Sequence, residues 1–303
     1  MLKKKALRKI IITTFVLFIV LTICMIPSNK DKIKKEYHYI NTKDVSVYLL
    51  NESDQLAKVE FKIEDKDIIN VVKDIIKKLT ISNDATIPNK FRQLIPKNIK
   101  LLEVLFDEGM LHLNFSKDFY NIKKDDIEKV VEAISYSLLE LSSVNGVSIY
   151  VDNENISGYY SNIPEIITKE FGINKRFFIK DLSLVSKVVI YYLDNVDDNY
   201  FYVPITKYVS DDRDKIKIII DELSSNYIYE SNLISLLDKN IKLLNYEIVS
   251  DTMIIDFNNC IYLGDDKMLE EVIYSVFANY EVNKVIIKAN GEEITKKTIK
   301  VIE

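Results

Sequence analysis

Few residues in this chain could carry acid–base or metal chemistry, and those few are scattered. The two histidines are His38 and His112, and the two cysteines are Cys24 and Cys260. A catalytic or metal-binding histidine needs partners, and neither histidine has another histidine or a cysteine near it in sequence. His112 alternates with apolar residues of a predicted strand, so we expect it on the solvent side. The distant cysteines predict neither a disulfide framework nor a cysteine-rich metal site.

Aspartate clusters could in principle bind a cation, but none has the spacing of an EF-hand loop. Two of the acidic pairs precede predicted helices, where their negative charge favours the helix dipole. Only six glycines are present, and no phosphate-binding or dinucleotide-binding loop occurs. The sequence therefore predicts no catalytic residue, no metal site and no cofactor, and it argues against an enzyme. The clusters are Asp194, Asp197 and Asp198; Asp211 and Asp212; Asp265 and Asp266; and Asp125 and Asp126.

Tyrosine offers a different chemistry, because aromatic rings stack on sugars and anchor protein interfaces. The chain has 19 tyrosines and no tryptophan. Those in strand patterns, such as Tyr191, Tyr200 and Tyr202, are expected to be half-buried. Four others lie between predicted elements and are our candidates for an interface: Tyr159, Tyr160, Tyr227 and Tyr229.

An internal repeat shows which elements hold these residues. The hexapeptide KNIKLL occurs at residues 97–102 and again at 239–244. In both places a strand pair and an apolar-striped helix precede it, and a hairpin strand, a second helix and a closing strand follow. The pattern predicts an α/β (α+β) fold of two similar small domains, each a mixed sheet with two helices on one face. We expect the leucines and isoleucine of the hexapeptide to hold the sheet and its lysines to face water.

The N-terminus is a basic segment followed by 17 uncharged residues, from Ile10 to Ile26. This run predicts an uncleaved membrane-anchor helix with the following domains outside the cytoplasm. Lipidation at Cys24 is an alternative, although the isoleucine before it does not suit a lipoprotein signal. A cleaved signal peptide would need small residues at the cut site, and Met25-Ile26-Pro27-Ser28 offers no A-x-A pattern.

The predicted organisation has five parts. Residues 1–30 form the basic N-terminus and membrane anchor, and 31–44 form a polar stalk. The two domains span 45–156 and 187–303, and the connector of 157–186 is apolar enough to pack against a domain. A net charge of −5 and a pI near 5.4 argue against nucleic-acid binding.

The motifs within the repeat resemble the GerMN domain family. They are the strand entry beginning Ile95-Pro96, the turn Glu108-Gly109, the strand end Leu113-Asn114-Phe115-Ser116 and the closing Val144-Asn145-Gly146-Val147. The second copy departs at Leu237-Asp238 but keeps an acidic–aromatic pair at Asp256-Phe257. The resemblance implies a small α/β domain related to ring-building modules of secretion systems, and it supplies no catalytic residues.

The resemblance also implies a function outside the cytoplasm of an endospore former. It implies a structural role in the protein complex between the mother-cell and forespore membranes, and in cortex peptidoglycan assembly. We therefore expect a membrane-anchored, non-enzymatic scaffold that binds sporulation proteins, with possible self-assembly through edge strands. The alternatives are a cell-wall protein that binds peptidoglycan through exposed tyrosines and, with less support, a wall hydrolase.

Overall fold

The computed structural model describes residues 4–25, 41–225 and 232–298. The chain divides into two units, residues 1–40 and 41–303. In the first unit, the predicted N-terminal helix is present as α1 (Lys4–Met25). None of the helices within the described ranges is long and apolar enough to cross a membrane. Most of the predicted stalk, with His38, lies outside the described residues.

The second unit contains the two copies in the predicted order of elements. The first copy holds β1 (Thr42–Leu50), β2 (Leu56–Glu64), α2 (Ile68–Leu79), β3 (Leu101–Asp107), β4 (Met110–Phe115), α3 (Lys124–Leu139), β5 (Gly146–Val151) and β6 (Glu154–Asn155). The connector holds β7 (Arg176–Phe178). The second copy holds β8 (Val185–Val196), β9 (Asn199–Ser210), α4 (Lys215–Leu223), β10 (Leu243–Val249), β11 (Thr252–Phe257), α5 (Asp266–Asn279), β12 (Lys284–Ala289) and β13 (Glu292–Thr298).

Each copy builds a four-stranded mixed sheet, in the order β3-β4-β5-β6 and β10-β11-β12-β13. The middle strands are parallel and the outer pairs antiparallel, because a helix connects each middle pair. Alternate residues of β4 face the core, and Leu111, Leu113 and Phe115 are fully buried there. The predicted α/β fold is confirmed.

The helices begin and pack as their sequences dictate. Asp67 caps α2 by accepting a hydrogen bond from the Asn70 backbone N–H at 3.0 Å, and Asp265 caps α5 through Met268 N at 2.9 Å. These caps satisfy donors that the first turn of a helix leaves free. The apolar stripe of α2 is buried against its copy. The Asp265 pair is thus a capping feature, as expected.

The opening hairpins do not stay within their own copies. Strands β1 and β2 of the first copy join β8 and β9 of the second in one five-stranded sheet with β7. The junction is an antiparallel contact in which Lys58 of β2 lies opposite Tyr202 of β9. The sequence had suggested a separate sheet for each copy. Instead, the two hairpins meet edge to edge, so part of the strand edge that each copy would expose is covered by the other.

Candidate functional site

The seam between the copies, where β1 and β2 meet β8 and β9, contains several buried polar groups. Its centre is a pair of equivalent tyrosines, Tyr48 on β1 and Tyr191 on β8, whose hydroxyls lie 3.1 Å apart. The backbone N–H of each tyrosine donates to a serine hydroxyl on the neighbouring helix. Tyr48 N lies 2.9 Å from the Ser137 hydroxyl in the first copy, and Tyr191 N lies 2.9 Å from the Ser275 hydroxyl in the second. The two copies therefore use the same anchor twice and meet through it.

A buried ion pair lies beside these tyrosines. Lys58 Nζ donates to Glu140 Oε2 at 2.7 Å, and the Tyr48 hydroxyl donates to Glu140 Oε1 at 3.1 Å. The two charged side chains are only 8% and 21% exposed. Burial raises the pKa of Glu140, but the attraction of nearby lysines and the hydrogen bonds from Lys58 and Tyr48 outweigh it, so the pKa is lowered overall. Glu140 is therefore ionised at neutral pH, and Lys58 supplies the positive charge that stabilises it in this buried place.

A cavity of about 350 Å³ opens at this seam. Lys297 closes one side of it by donating to Glu270 at 2.8 Å and to the Tyr274 hydroxyl at 3.1 Å. Lys58 and Lys297 both lie over the Tyr274 ring, with Nζ 4.7 Å and 4.6 Å from its centroid. Burial is the main cause that raises the pKa of Tyr48 and Tyr191, so neither is a base near neutral pH. The geometry of these groups suits cohesion between the copies better than proton transfer.

Asn174 of the connector ties the seam together from a second side. Its side chain accepts from Leu56 N at 2.9 Å and donates to the carbonyls of Leu56 and Pro204, each at 2.9 Å. Its own backbone N–H donates to Glu132 at 3.0 Å. The residue is buried and has a φ of +49°, a conformation that asparagine tolerates better than most residues. One connector residue thus joins a strand from each copy.

Asn174→Ala is expected to destabilise the full-length protein by about 2–4 kcal/mol, because it leaves buried backbone groups unpaired and strains the left-handed backbone. Asn174→Gly removes only the side-chain bonds and should cost less than the alanine variant. Chemical denaturation followed by circular dichroism measures both. The control is Asn290→Ala, which has a similar φ of +46° and an exposed side chain. Equal losses at the two positions would show that Asn174 contributes strain relief alone.

The predicted interface tyrosines differ in their exposure to solvent. Tyr159 is 64% exposed, and its ring centroid lies 4.6 Å from that of Tyr120. Tyr160 packs beneath it and is 9% exposed, so it has little surface to offer a partner. Tyr227 and Tyr229 lie outside the described residues. Cys24 falls in α1, but its side chain is also outside the described part.

The remaining polar candidates either lie on the sheet face opposite the core or hold a turn. His112 lies on the face of β4 opposite the core, with its ring 5.9 Å from that of Tyr150. Asn114 Oδ1 accepts from Asn153 N at 3.1 Å, and the aligned Asp256 Oδ1 accepts from Gly291 N at 3.0 Å. Both therefore hold the turn that follows the neighbouring strand. Within the described ranges, no three histidine, cysteine or acidic side chains converge on a possible metal site.

Sequence reasoning missed the seam, although a signal was present. Tyr48 and Tyr191, and the helix residues Tyr136 and Tyr274, occupy equivalent places in the two copies. The strand tyrosine packs near the helix tyrosine in each, with ring centroids 5.9 Å and 5.6 Å apart. A pair of aromatic residues repeated in register could have indicated a shared contact. Lys58 and Asn174 have no counterpart of this kind and gave no such signal.

The fold and the seam define a class of protein: two copies of one α/β domain joined into a single scaffold by a buried polar interface. The family model described as "Sporulation and spore germination" (Germane) matches residues 46–157 and 189–295. The chain belongs to this family, which confirms the resemblance found in its motifs.

Two relatives illustrate the similarity. Spore germination protein GerM of Bacillus subtilis strain 168 is 25% identical over 220 residues, which cover 68% of this chain and 60% of the relative. The chain thus matches about 60% of the length of that relative. The solved tandem GerMN domains of the sporulation protein GerM from Bacillus subtilis have a TM-score of 0.74 at 23% identity. That match covers 83% of this chain and 92% of the solved one, and it shows a shared fold.

Proposed function

We propose that this sporulation-related protein is a membrane-attached, non-enzymatic scaffold that assembles with partner proteins between the mother-cell and forespore membranes and supports cortex peptidoglycan formation. The observation that carries the proposal is the seam. The hydroxyls of Tyr48 and Tyr191 meet across it, and Lys58, paired with Glu140 within the first copy, lies with its Nζ 4.7 Å from the Tyr274 ring centroid of the second. A fixed tandem unit presents its surfaces at constant spacing, which suits a scaffold.

Deletion in a spore-forming host tests the proposal. We expect the deletion to lower the yield of heat-resistant spores and to thin the cortex, with rescue by the full-length chain. Purified full-length protein should release no muropeptides from peptidoglycan. Normal spores and normal germination in the deletion strain would contradict a scaffold role, and muropeptide release would contradict a non-enzymatic one.

Attachment to a membrane is proposed from the N-terminal helix. Residues such as Phe15 and Phe18 of α1 are largely exposed. The later turns of this helix carry no charged residue and favour an apolar environment, and the basic residues of its first two turns favour an anionic membrane surface. Cell fractionation should place the full-length chain with membranes. Loss of this location in a variant with charged residues at positions 15 and 18 would support helix insertion, and loss in Cys24→Ala would indicate lipidation.

Binding of peptidoglycan is a second candidate function, favoured by the exposed ring of Tyr159 beside Tyr120. Paired aromatic rings can stack on sugars. Co-sedimentation with purified cell wall should then be lost in Tyr159→Ala and kept in Tyr262→Ala, another exposed tyrosine of the second copy. The absence of sedimentation for the wild-type chain would end this alternative.

A further inference from the structure

The outer strands of the two four-stranded sheets expose apolar side chains at equivalent places. Within the described ranges, β3 pairs only with β4, and β10 only with β11, so each has a free backbone edge. Leu102 is 56% exposed on the first edge and Leu244 is 52% exposed on the second. Leu105, Ile248 and Val249 are about half exposed on the same two strands. Apolar residues along a free edge are typical of a strand that pairs with another chain.

A β-bulge directs the equivalent leucines outward. The register shifts between Leu101 and Glu103 in β3, and between Leu243 and Asn245 in β10. The extra residue is therefore Leu102 in one copy and Leu244 in the other, and neither has a cross-strand partner. Bulges commonly re-aim a side chain at a sheet edge. The expectation that all the leucines of the hexapeptide hold the sheet is wrong for these two.

Packing does not account for the identity of KNIKLL in the two copies. Its isoleucine is buried in both, as Ile99 and Ile241. Its two lysines, its asparagine and its second leucine are exposed in both copies. The core requires no particular side chain at an exposed position. An identical exposed set on two sheet edges instead indicates a surface that both copies use.

The charges around these strands favour one direction of pairing. Exposed lysines precede each strand, and most of the exposed acidic residues lie towards its far end or just after it; Glu103 and Asp238 are the exceptions. An antiparallel strand from a second copy would bring the lysines of one chain to the acidic end of the other, whereas a parallel strand would place like charges together. The groups are Lys97, Lys100, Asp107 and Glu108 around β3, and Lys239, Lys242, Glu247 and Asp251 around β10.

We propose that β3 and β10 are docking edges for a second copy of this chain, paired antiparallel, with the bulged leucines packed against the partner's exposed apolar residues. The inference rests on the proposed scaffold function and names one of its partners. The regular part of each strand after the bulge is short, residues 103–107 and 245–249, so few residues can pair and association is weak and concentration-dependent. Two such edges on one chain allow open chains of copies rather than a closed dimer.

Disulfide cross-linking of the purified full-length chain tests the proposal. The background carries Cys24→Ala and Cys260→Ala, and Leu105→Cys and Glu247→Cys place single thiols on the two edges. Mild oxidation should give at least tenfold more covalent dimer from either edge, or from a mixture of the two, than from Leu182→Cys. Leu182 is 84% exposed in the connector and serves as the matched control.

Three further variants separate an interface from a chance encounter. Leu102→Glu with Leu244→Glu should abolish the edge cross-links without changing the thermal midpoint, because both residues are exposed. Reversal of Lys97 and Lys100 to glutamate should weaken the β3 cross-link, and added reversal of Asp107 and Glu108 to lysine should restore it. Edge cross-links no stronger than the Leu182 control, or unaffected by these changes, would overturn the proposal. A sporulation defect in the deletion strain would still support the scaffold function.

Discussion

The full-length chain with Lys58→Ala is expected to lose about 3–5 kcal/mol of unfolding free energy, because the change leaves Glu140 buried without its cation. Glu140 would keep the Tyr48 hydroxyl, which donates at 3.1 Å, but a hydroxyl does not neutralise a carboxylate. The loss falls on the seam that joins the copies, so both should unfold at lower denaturant. Chemical denaturation at pH 8, followed by circular dichroism, measures the change.

The pH dependence of the same variant provides an independent check. In the wild type the pKa of Glu140 is lowered, so its contribution to stability is lost as the pH falls through that pKa. Without Lys58, burial dominates and should raise the pKa above its ordinary value. The loss of unfolding free energy in Lys58→Ala, measured relative to the wild type, should then grow as the pH rises from 5 to 8. A variant that is equally destabilised at both pH values would contradict this assignment.

Two further variants serve as controls. Lys117→Ala breaks the exposed Lys117–Asp152 pair, whose side chains are 75% and 51% exposed, and should cost less than about 1 kcal/mol. Lys58→Met with Glu140→Gln removes both charges and should recover most of the lost stability. Failure of this double variant to recover would show that the ion pair itself, rather than an orphaned charge, holds the seam.

The elements of each copy were predictable because their side chains have a clear period. Leu111, Leu113 and Phe115 alternate with polar residues in β4, and all three are buried. Strand β13 was missed because its sequence, EEITKKT, is mostly charged and has no apolar face of its own. The shared sheet could not be predicted either. It is closed by backbone pairing at Lys58 and Tyr202, and such pairing leaves no mark in residue type.

The site was harder to predict than the fold. Asn174 resembles an ordinary loop residue in sequence, and its importance comes from two strands that lie far from it along the chain. The strand pattern predicts a core position for the bulged Leu102, because it contains no sign of the register shift. A long-range contact explains the role of Asn174, and a local irregularity explains the exposure of Leu102. Neither feature alters the apolar period from which the strands were predicted.

Glu271→Gln is expected to stabilise the protein at alkaline pH. Glu271 on α5 is fully buried. Its Oε2 accepts from Leu236 N at 2.9 Å and from the Ser235 hydroxyl at 3.3 Å, whereas its Oε1 has no hydrogen-bond partner among the described residues. Burial is the main cause that raises its pKa from 4.5 to about 8; the two hydrogen bonds lower it, and nearby Asp265 raises it. The folded protein therefore holds a proton that the unfolded chain releases.

The sign of the effect follows from this difference in pKa. Because the folded pKa is the higher one, the wild type should lose stability as the pH rises from about 4.5 towards about 8, on the order of 4 kcal/mol in total. Glutamine is neutral throughout and should remove this slope. Glu132, whose pKa burial raises to about 7, acts in the same direction, so Glu132→Gln should flatten only the part of the curve below that pH. Denaturation curves from pH 5.5 to 9 distinguish the two. If Glu271→Gln kept the wild-type slope between pH 7 and 8, Glu271 would have to be ionised in its pocket, and Oε1 would then need a donor that the described residues do not supply.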